Sequence, residues 1–220
     1  MIDQLKISNK YSYDDYEASV KERRIAPPTK KSIKDTVPFS NVTYDFSAIN
    51  GEVYWNERPL EYIFEITALT VEELEVKKMA FTNWIMNVMD ADIYDPFITD
   101  YHFKGSYDSM SFADEFEKTT ITVTFTAYPY MISNMPKSYS ITLAANTAVE
   151  VNIVNNSSHR ITPTFNANVA ATVTYNNASY AVPTGTTTDD YFKIGIGANV
   201  LTIKAATSGT ITITFNEEVF

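Results

Sequence analysis

Thr120-Ile121-Thr122-Val123-Thr124-Phe125-Thr126-Ala127-Tyr128-Pro129-Tyr130 alternates hydroxyl and apolar side chains up to a closing Tyr-Pro-Tyr. A period of two places Ile121, Val123, Phe125 and Ala127 on one face and the threonines on the other, which is the signature of a half-buried strand. Upstream, residues 60–68 alternate in the same way. Between the two runs the period changes. Thr70 precedes Val71-Glu72-Glu73 as a capping box, in which the hydroxyl accepts from an early helical N–H and Glu73 reaches back. Leu74, Phe81, Trp84, Ile85 and Val88 then recur at helical spacing, predicting an amphipathic helix over 71–89 that Asp90, Asp92 and Pro96 bring to an end. One apolar stripe beside apolar strand faces predicts a helix docked on a sheet.

Residues 21–40 read differently. Arg23, Arg24, Lys30, Lys31 and Lys34 crowd around Pro27-Pro28 and Pro38, and that density of charge and proline argues for an extended arm. The composition shifts again near Met131-Ile-Ser-Asn-Met-Pro136, after which Asn and Thr dominate. A domain boundary is expected there, giving units 1–135 and 136–220. The second unit predicts strands near 138–144, 149–154, 161–165, 171–175, 179–182, 191–196, 200–205 and 210–215, separated by Asn- and Gly-bearing turns. So many short strands predict a sandwich. The fold class is therefore mainly β: an N-terminal β-sandwich or β-roll with one amphipathic helix, then an all-β sandwich.

The net charge is −10 over 220 residues, unevenly divided. Residues 1–135 carry 13 Lys and Arg against 22 Asp and Glu, while residues 136–220 carry 4 against 5. An acidic first unit repels phosphate backbones and argues against nucleic-acid binding. The chain has no cysteine, which removes disulfides and thiolate metal sites. Its N-terminus lacks the basic and apolar regions of a signal peptide, and no apolar run reaches the ~20 residues of a membrane helix, so no membrane partner is expected.

Catalytic and metal constellations are weak. The two histidines, His102 and His159, fall in different predicted units, and neither neighbours a nucleophile elbow. His159 is expected to be solvated in a turn. Asp90, Asp92, Asp95 and Asp100 miss the calcium-loop pattern, because Asp95 and Tyr101 stand where Gly and Glu are required. No glycine loop could cradle phosphate. Neither an enzyme nor a cofactor or metal is expected. Among the 15 tyrosines, Tyr11, Tyr13 and Tyr16 sit amid acids and are candidates for an exposed contact surface.

The order of motifs resembles the siphophage distal tail (Dit) family. The chain shows Val37-Pro38, then Tyr54-Trp55-Asn56-Glu57-Arg58, then Tyr62-Ile-Phe64, then Phe81-Thr-Asn-Trp84-Ile85, and finally Phe125-Thr-Ala-Tyr128-Pro129-Tyr130. It departs from the family at Phe39-Ser40-Asn41-Val42, where relatives often carry Gly-Arg-x-Gly, and at Ala127, where they often carry Cys. The resemblance covers about residues 1–135, and the second unit resembles the galectin-like domain that such proteins append.

The resemblance implies a structural protein of the virion tail tip, made in the bacterial host cytoplasm. Its copies would form a hexameric ring that docks the tail tube protein on one face and the tail-associated or tail-fibre protein on the other. DNA would pass through the lumen without being bound. Packing acidic units together calls for cations at the seams. Arg58 and at least one of Arg23, Arg24, Lys30 and Lys31 are therefore expected to face an acidic surface of their own or a neighbouring subunit. Val37, Pro38 and Tyr54 complete the interface candidates. The alternative is a lectin-like module on host cell-wall sugars, with at least a weak carbohydrate contact in the second unit.

Overall fold

The computed structural model describes residues 3–36, 38–48 and 51–220. The chain divides into two compact units, Met1–Met131 with Phe220, and Ile132–Val219. The strands of the first unit are β1 (Lys6–Ile7), β2 (Lys10–Tyr11), β3 (Ser19–Ile25), β4 (Lys34–Thr36), β5 (Thr43–Asp45), β6 (Arg58–Thr67), β7 (Ala91–Tyr94), β8 (Tyr101–Asp114) and β9 (Lys118–Ala127), with helix α1 (Val71–Met86) between β6 and β7. The sequence left a sandwich or a roll open, and the main element is one antiparallel sheet in the order β2-β1-β7-β8-β9-β6-β3.

Period-two patterning is obeyed closely in its middle. Leu60, Tyr62, Phe64 and Ile66 of β6 and Ile121, Val123, Phe125 and Ala127 of β9 all turn inward and are buried. Leu74, Phe81 and Ile85 of α1 cover that face, with the Phe81 ring 5.0 Å from Phe64. Tyr16 belongs to this core: its ring stacks on Trp84 at 4.6 Å, so it is not the exposed contact residue expected from its acidic neighbours. Tyr11 is the more open, at 37% exposure.

The helix stops three residues earlier than the periodicity predicts. Asn87 leaves helical geometry and returns its Nδ2 to the Asn83 carbonyl at 2.6 Å, closing the last turn. At the other end Thr70 Oγ1 accepts from Glu73 N at 3.1 Å, while Glu73 Oε2 accepts from Leu69 N at 3.2 Å. The box therefore closes one residue further out than the usual form.

Residues 19–25 are not part of an arm. They form edge strand β3, paired with β6 and bulged between Val20 and Glu22. The charges that argued against a strand are what a sheet edge carries to discourage unwanted pairing. The projecting element begins later. Lys31 N donates to the Tyr54 carbonyl at 2.8 Å and Asn56 N to the Thr29 carbonyl at 2.9 Å, closing its root. Beyond the root, β4 and β5 pair as a separate two-stranded ribbon.

Gly105 marks a tight place in the main sheet. A Cβ there would lie 2.8 Å from the Thr126 carbonyl oxygen and 3.1 Å from Ala127 Cα. Gly105 pairs with Ala127 on one side and Ala91 on the other, and Ala127 pairs with Arg58. This row therefore consists of three small residues and one long side chain, that of Arg58.

The second unit contains β11 (Lys137–Leu143), β12 (Ala148–Asn155), β13 (Thr164–Ala167), β14 (Ala171–Tyr175), β15 (Ala178–Val182), β16 (Gly185–Thr188), β17 (Gly197–Ala205) and β18 (Gly209–Phe215). Short pieces β10 (Met131–Ser133) and β19 (Glu218–Val219) pair with each other. Two four-stranded sheets, β11-β18-β13-β16 and β12-β17-β14-β15, enclose one apolar core. The strand predicted over 191–196 does not form. That segment instead drives Phe192 and Ile194 into the core and makes only the single bridge Ile161 to Ile194. Asn155 Nδ2 holds it by donating to the carbonyls of Ile194 at 3.3 Å and Gly195 at 3.1 Å. The eighth strand is β16, a threonine run whose lack of apolar alternation hid it.

The outer face of β11-β18-β13-β16 has an unusual surface. Its cross-strand rows are Ser138, Thr214, Thr164 and Thr188, then Ser140, Thr212, Asn166 and Thr186. Every side chain in both rows is an uncharged hydroxyl or amide.

Candidate functional site

The most organised polar cluster of the first unit joins β3, β6 and the turn after β7. Arg23 places a guanidinium nitrogen 2.6 Å from Asp95 Oδ1. Tyr62 donates its hydroxyl to Asp95 Oδ2 at 2.9 Å, and Phe97 N donates to Asp95 Oδ1 at 2.8 Å. The Arg23 guanidinium also lies over the Phe97 ring, 4.7 Å from its centre. The Asp95 side chain is almost wholly buried, and it is tolerated there because three donors meet its two oxygens. Burial, then the negative charge of Asp95, pushes the Tyr62 phenol well above its ordinary value. A carboxylate saturated with donors beside a tyrosine held protonated is a fastening between strands, with no free base or nucleophile to offer.

Arg58 starts β6 on the same inward face as Tyr62 and is 5% exposed. It donates to the Pro129 carbonyl at 3.2 Å and lies over the Phe103 ring, 5.0 Å from its centre. Its Nε has no hydrogen-bond partner among the described residues. Burial lowers its pKa, and the neighbouring Tyr62 opposes that shift. The neighbours of Arg58 within its own unit are therefore a backbone carbonyl, an aromatic face and a phenol.

The other sequence candidates are dispersed. Arg24 is exposed on β3 and bridges Glu22 and Glu61, each at 2.8 Å. Lys30 and Lys31 stand with Tyr54 at the root of the ribbon, where Lys30 bridges Trp55 through the backbone. Pro38 is exposed in the turn of the ribbon, and Val37 lies outside the described residues. The fold thus gathers Lys30, Lys31 and Tyr54, and separately ties Arg23 to Tyr62 through Asp95. In the sequence Asp95 reads only as a poor calcium ligand. Its position just before Pro96 was the one local hint of a fixed turn.

The histidines stand apart. His102 Nε2 is 3.6 Å from Asp92 in the first unit. His159 Nε2 is 3.2 Å from Glu218 in the second unit, so this side chain is half-buried against a carboxylate and not solvated in a turn. Among the described residues no group of three or more His, Asp or Glu side chains is placed to hold a metal ion.

A helix-backed antiparallel sheet followed by a four-on-four sandwich defines a class of two-unit, mainly-β chain. This chain has the Dit fold: it is similar over 98% of its length to 99% of the SPP1 Dit protein, with a TM-score of 0.72 and 14% identity. That protein is presented as a paradigm of the hub adsorption apparatus in phages infecting Gram-positive bacteria. The activated baseplate of phage P2 also aligns, over 99% of this chain and 98% of that one, at 11% identity and a TM-score of 0.43. No family model matches the sequence, and no curated protein matches it.

Proposed function

We propose that this protein is a structural hub of a phage tail tip. In this reading its copies, six to a ring, join the tail tube protein to the tail-associated or tail-fibre protein and leave an open lumen for DNA. The observation that carries it is the full-length agreement of fold with the SPP1 Dit hub protein. The charge distribution supports it physically. A first unit with 13 cationic against 22 anionic side chains repels a polyanion, and a repulsive wall lets DNA slide. The ionisable clusters support it as well, because they are spent on fastening strands. Mass measurement across a concentration series, paired with electron microscopy, tests the reading. A closed ring of about six copies is the expected outcome. A strict monomer at every concentration sinks it.

One observation favours a second reading, a lectin-like contact in the second unit. The rows Ser138-Thr214-Thr164-Thr188 and Ser140-Thr212-Asn166-Thr186 offer donors and acceptors without charge, as polysaccharide hydroxyls do. A glycan array probed with the full chain tests it, and binding unchanged in Thr212→Val with Asn166→Leu removes these rows from consideration.

A further inference from the structure

Among the described residues, two apolar surfaces of the first unit have no cover. On α1, Leu74, Phe81 and Ile85 face the core, yet the opposite side carries Val76, Met79 and Met86 at 68%, 63% and 57% exposure. Spacings of three and seven align these three with Glu72 and Asn83 along one outer line of the helix. A helix apolar on both sides is normally covered on both sides. The second surface is on the β4–β5 ribbon. Its register, with Asp35 opposite Tyr44 and Phe46 N donating to the Ile33 carbonyl, places Ile33, Val42, Tyr44 and Phe46 on one face, with the single charged side chain of Asp35 among them. These four are 41–55% exposed. A two-stranded ribbon has no interior and is marginal in water until its apolar face is packed. Both surfaces are exposed in the same chain, so neither covers the other within one copy.

Charge indicates what covers them. Lys30 and Lys31 at the root of the ribbon and Lys34 at the start of β4 form no ion pair within 4 Å among the described residues, although Lys30 and Lys34 act on Asp45 from further off, whereas α1 opens with Glu72 and Glu73. We propose that the apolar face of the ribbon of one copy lies across the outer face of α1 of a second copy, with the root lysines toward the acidic first turn. Methionines suit such a face, because they repack around an incoming surface. The two patches differ, so the contact is heterologous and repeats from copy to copy, closing a ring where the rotation permits. The inference rests on the hub reading in that copies must associate, and it adds which surfaces meet.

The absence of cysteine makes the test clean. Tyr44→Cys with Met79→Cys in one full-length chain, treated with a short bismaleimide, should give a ladder of covalent multimers. Tyr44→Cys protein mixed with Met79→Cys protein should stop at covalent dimers, and each alone should give none. Met79→Lys should raise the concentration for half-assembly about tenfold, as loss of a central interface residue does. Its circular dichroism and melting should not change, because the side chain is exposed. Val200→Lys, an equally exposed site on the second unit, should leave assembly unchanged. Rings that form without the Tyr44–Met79 link, or that ignore Met79→Lys, overturn the inference and leave the hub reading intact. A chain that stays monomeric throughout overturns both.

Discussion

Tyr62 donates its hydroxyl to Asp95 Oδ2 across 2.9 Å, from a ring fully withdrawn from solvent. Two strands and a proline-bearing turn meet at this bond, and Arg23 balances its charge. Replacing Asp95 with Ala should cost about 3 kcal/mol, since the Tyr62 hydroxyl and the Arg23 guanidinium both lose their acceptor. Tyr62→Phe keeps the Arg23 pair and should cost only about 1 kcal/mol. Urea denaturation of the two variants checks the order. Equal losses would show that the carboxylate matters only through the tyrosine.

The same tyrosine gives a dependence on pH. Its folded pKa is raised, so its neutral form is the one the fold favours. That stability is fully present below the ordinary tyrosine value of 10.0, and it is lost as pH rises from there toward the folded value. Melting temperature should therefore fall above about pH 10, and Tyr62→Phe should flatten the fall. A slope identical in both proteins would assign the alkaline loss to other groups.

Gly105→Ala adds one methyl group, 2.8 Å from a backbone carbonyl oxygen that cannot swing aside. Strands β8 and β9 would have to separate locally, at a cost of about 1–3 kcal/mol. Hydrogen exchange should quicken first at Ala127 and its neighbours. Uniform exchange across the sheet would contradict a local origin.

Thr70→Ala removes the acceptor for Glu73 N and should cost about 1 kcal/mol. Glu73→Ala should cost less, because the exposed carboxylate holds only Leu69 N and a lysine at the surface. Thermal melts monitored by helical ellipticity would rank the two.

In the second unit Phe192 packs edge-on against Phe165 at 5.2 Å and Tyr180 at 4.6 Å, though no strand carries it. Phe192→Ala should cost about 3–5 kcal/mol, as a buried aromatic in a strand would. A loss below 1 kcal/mol, on the order expected of an exposed position, would mean that segment 189–196 is not structural.

Alternation and capping made β6, β9 and α1 legible in the sequence, because burial on one face writes itself into a period. Charge misled at residues 19–25, since an edge strand needs pairing on one side only and carries charge without penalty. It misled again at Tyr16, whose acidic neighbours hid a ring stacked on Trp84. The Arg23–Asp95–Tyr62 fastening was out of reach for another reason. Its members are 72 and 33 positions apart, and nothing local to any of them reports the other two. Phe192 shows a third limit: Phe192 and Ile194 alternate with exposed residues as a strand would, yet the segment is held by Asn155 donating to the Ile194 and Gly195 carbonyls and joins no ladder.

The hydroxyl rows on the second unit have a consequence for where this protein can work. Ionic contacts of the first unit weaken as the surrounding salt thickens, because counterions shield them. A face of threonine, serine and asparagine has no such counterions to gather and no group that titrates near neutrality. Any contact made by this face should be much the same at low and at high salt. The first unit thus meets salt with its charges, while this one face of the second meets it with none.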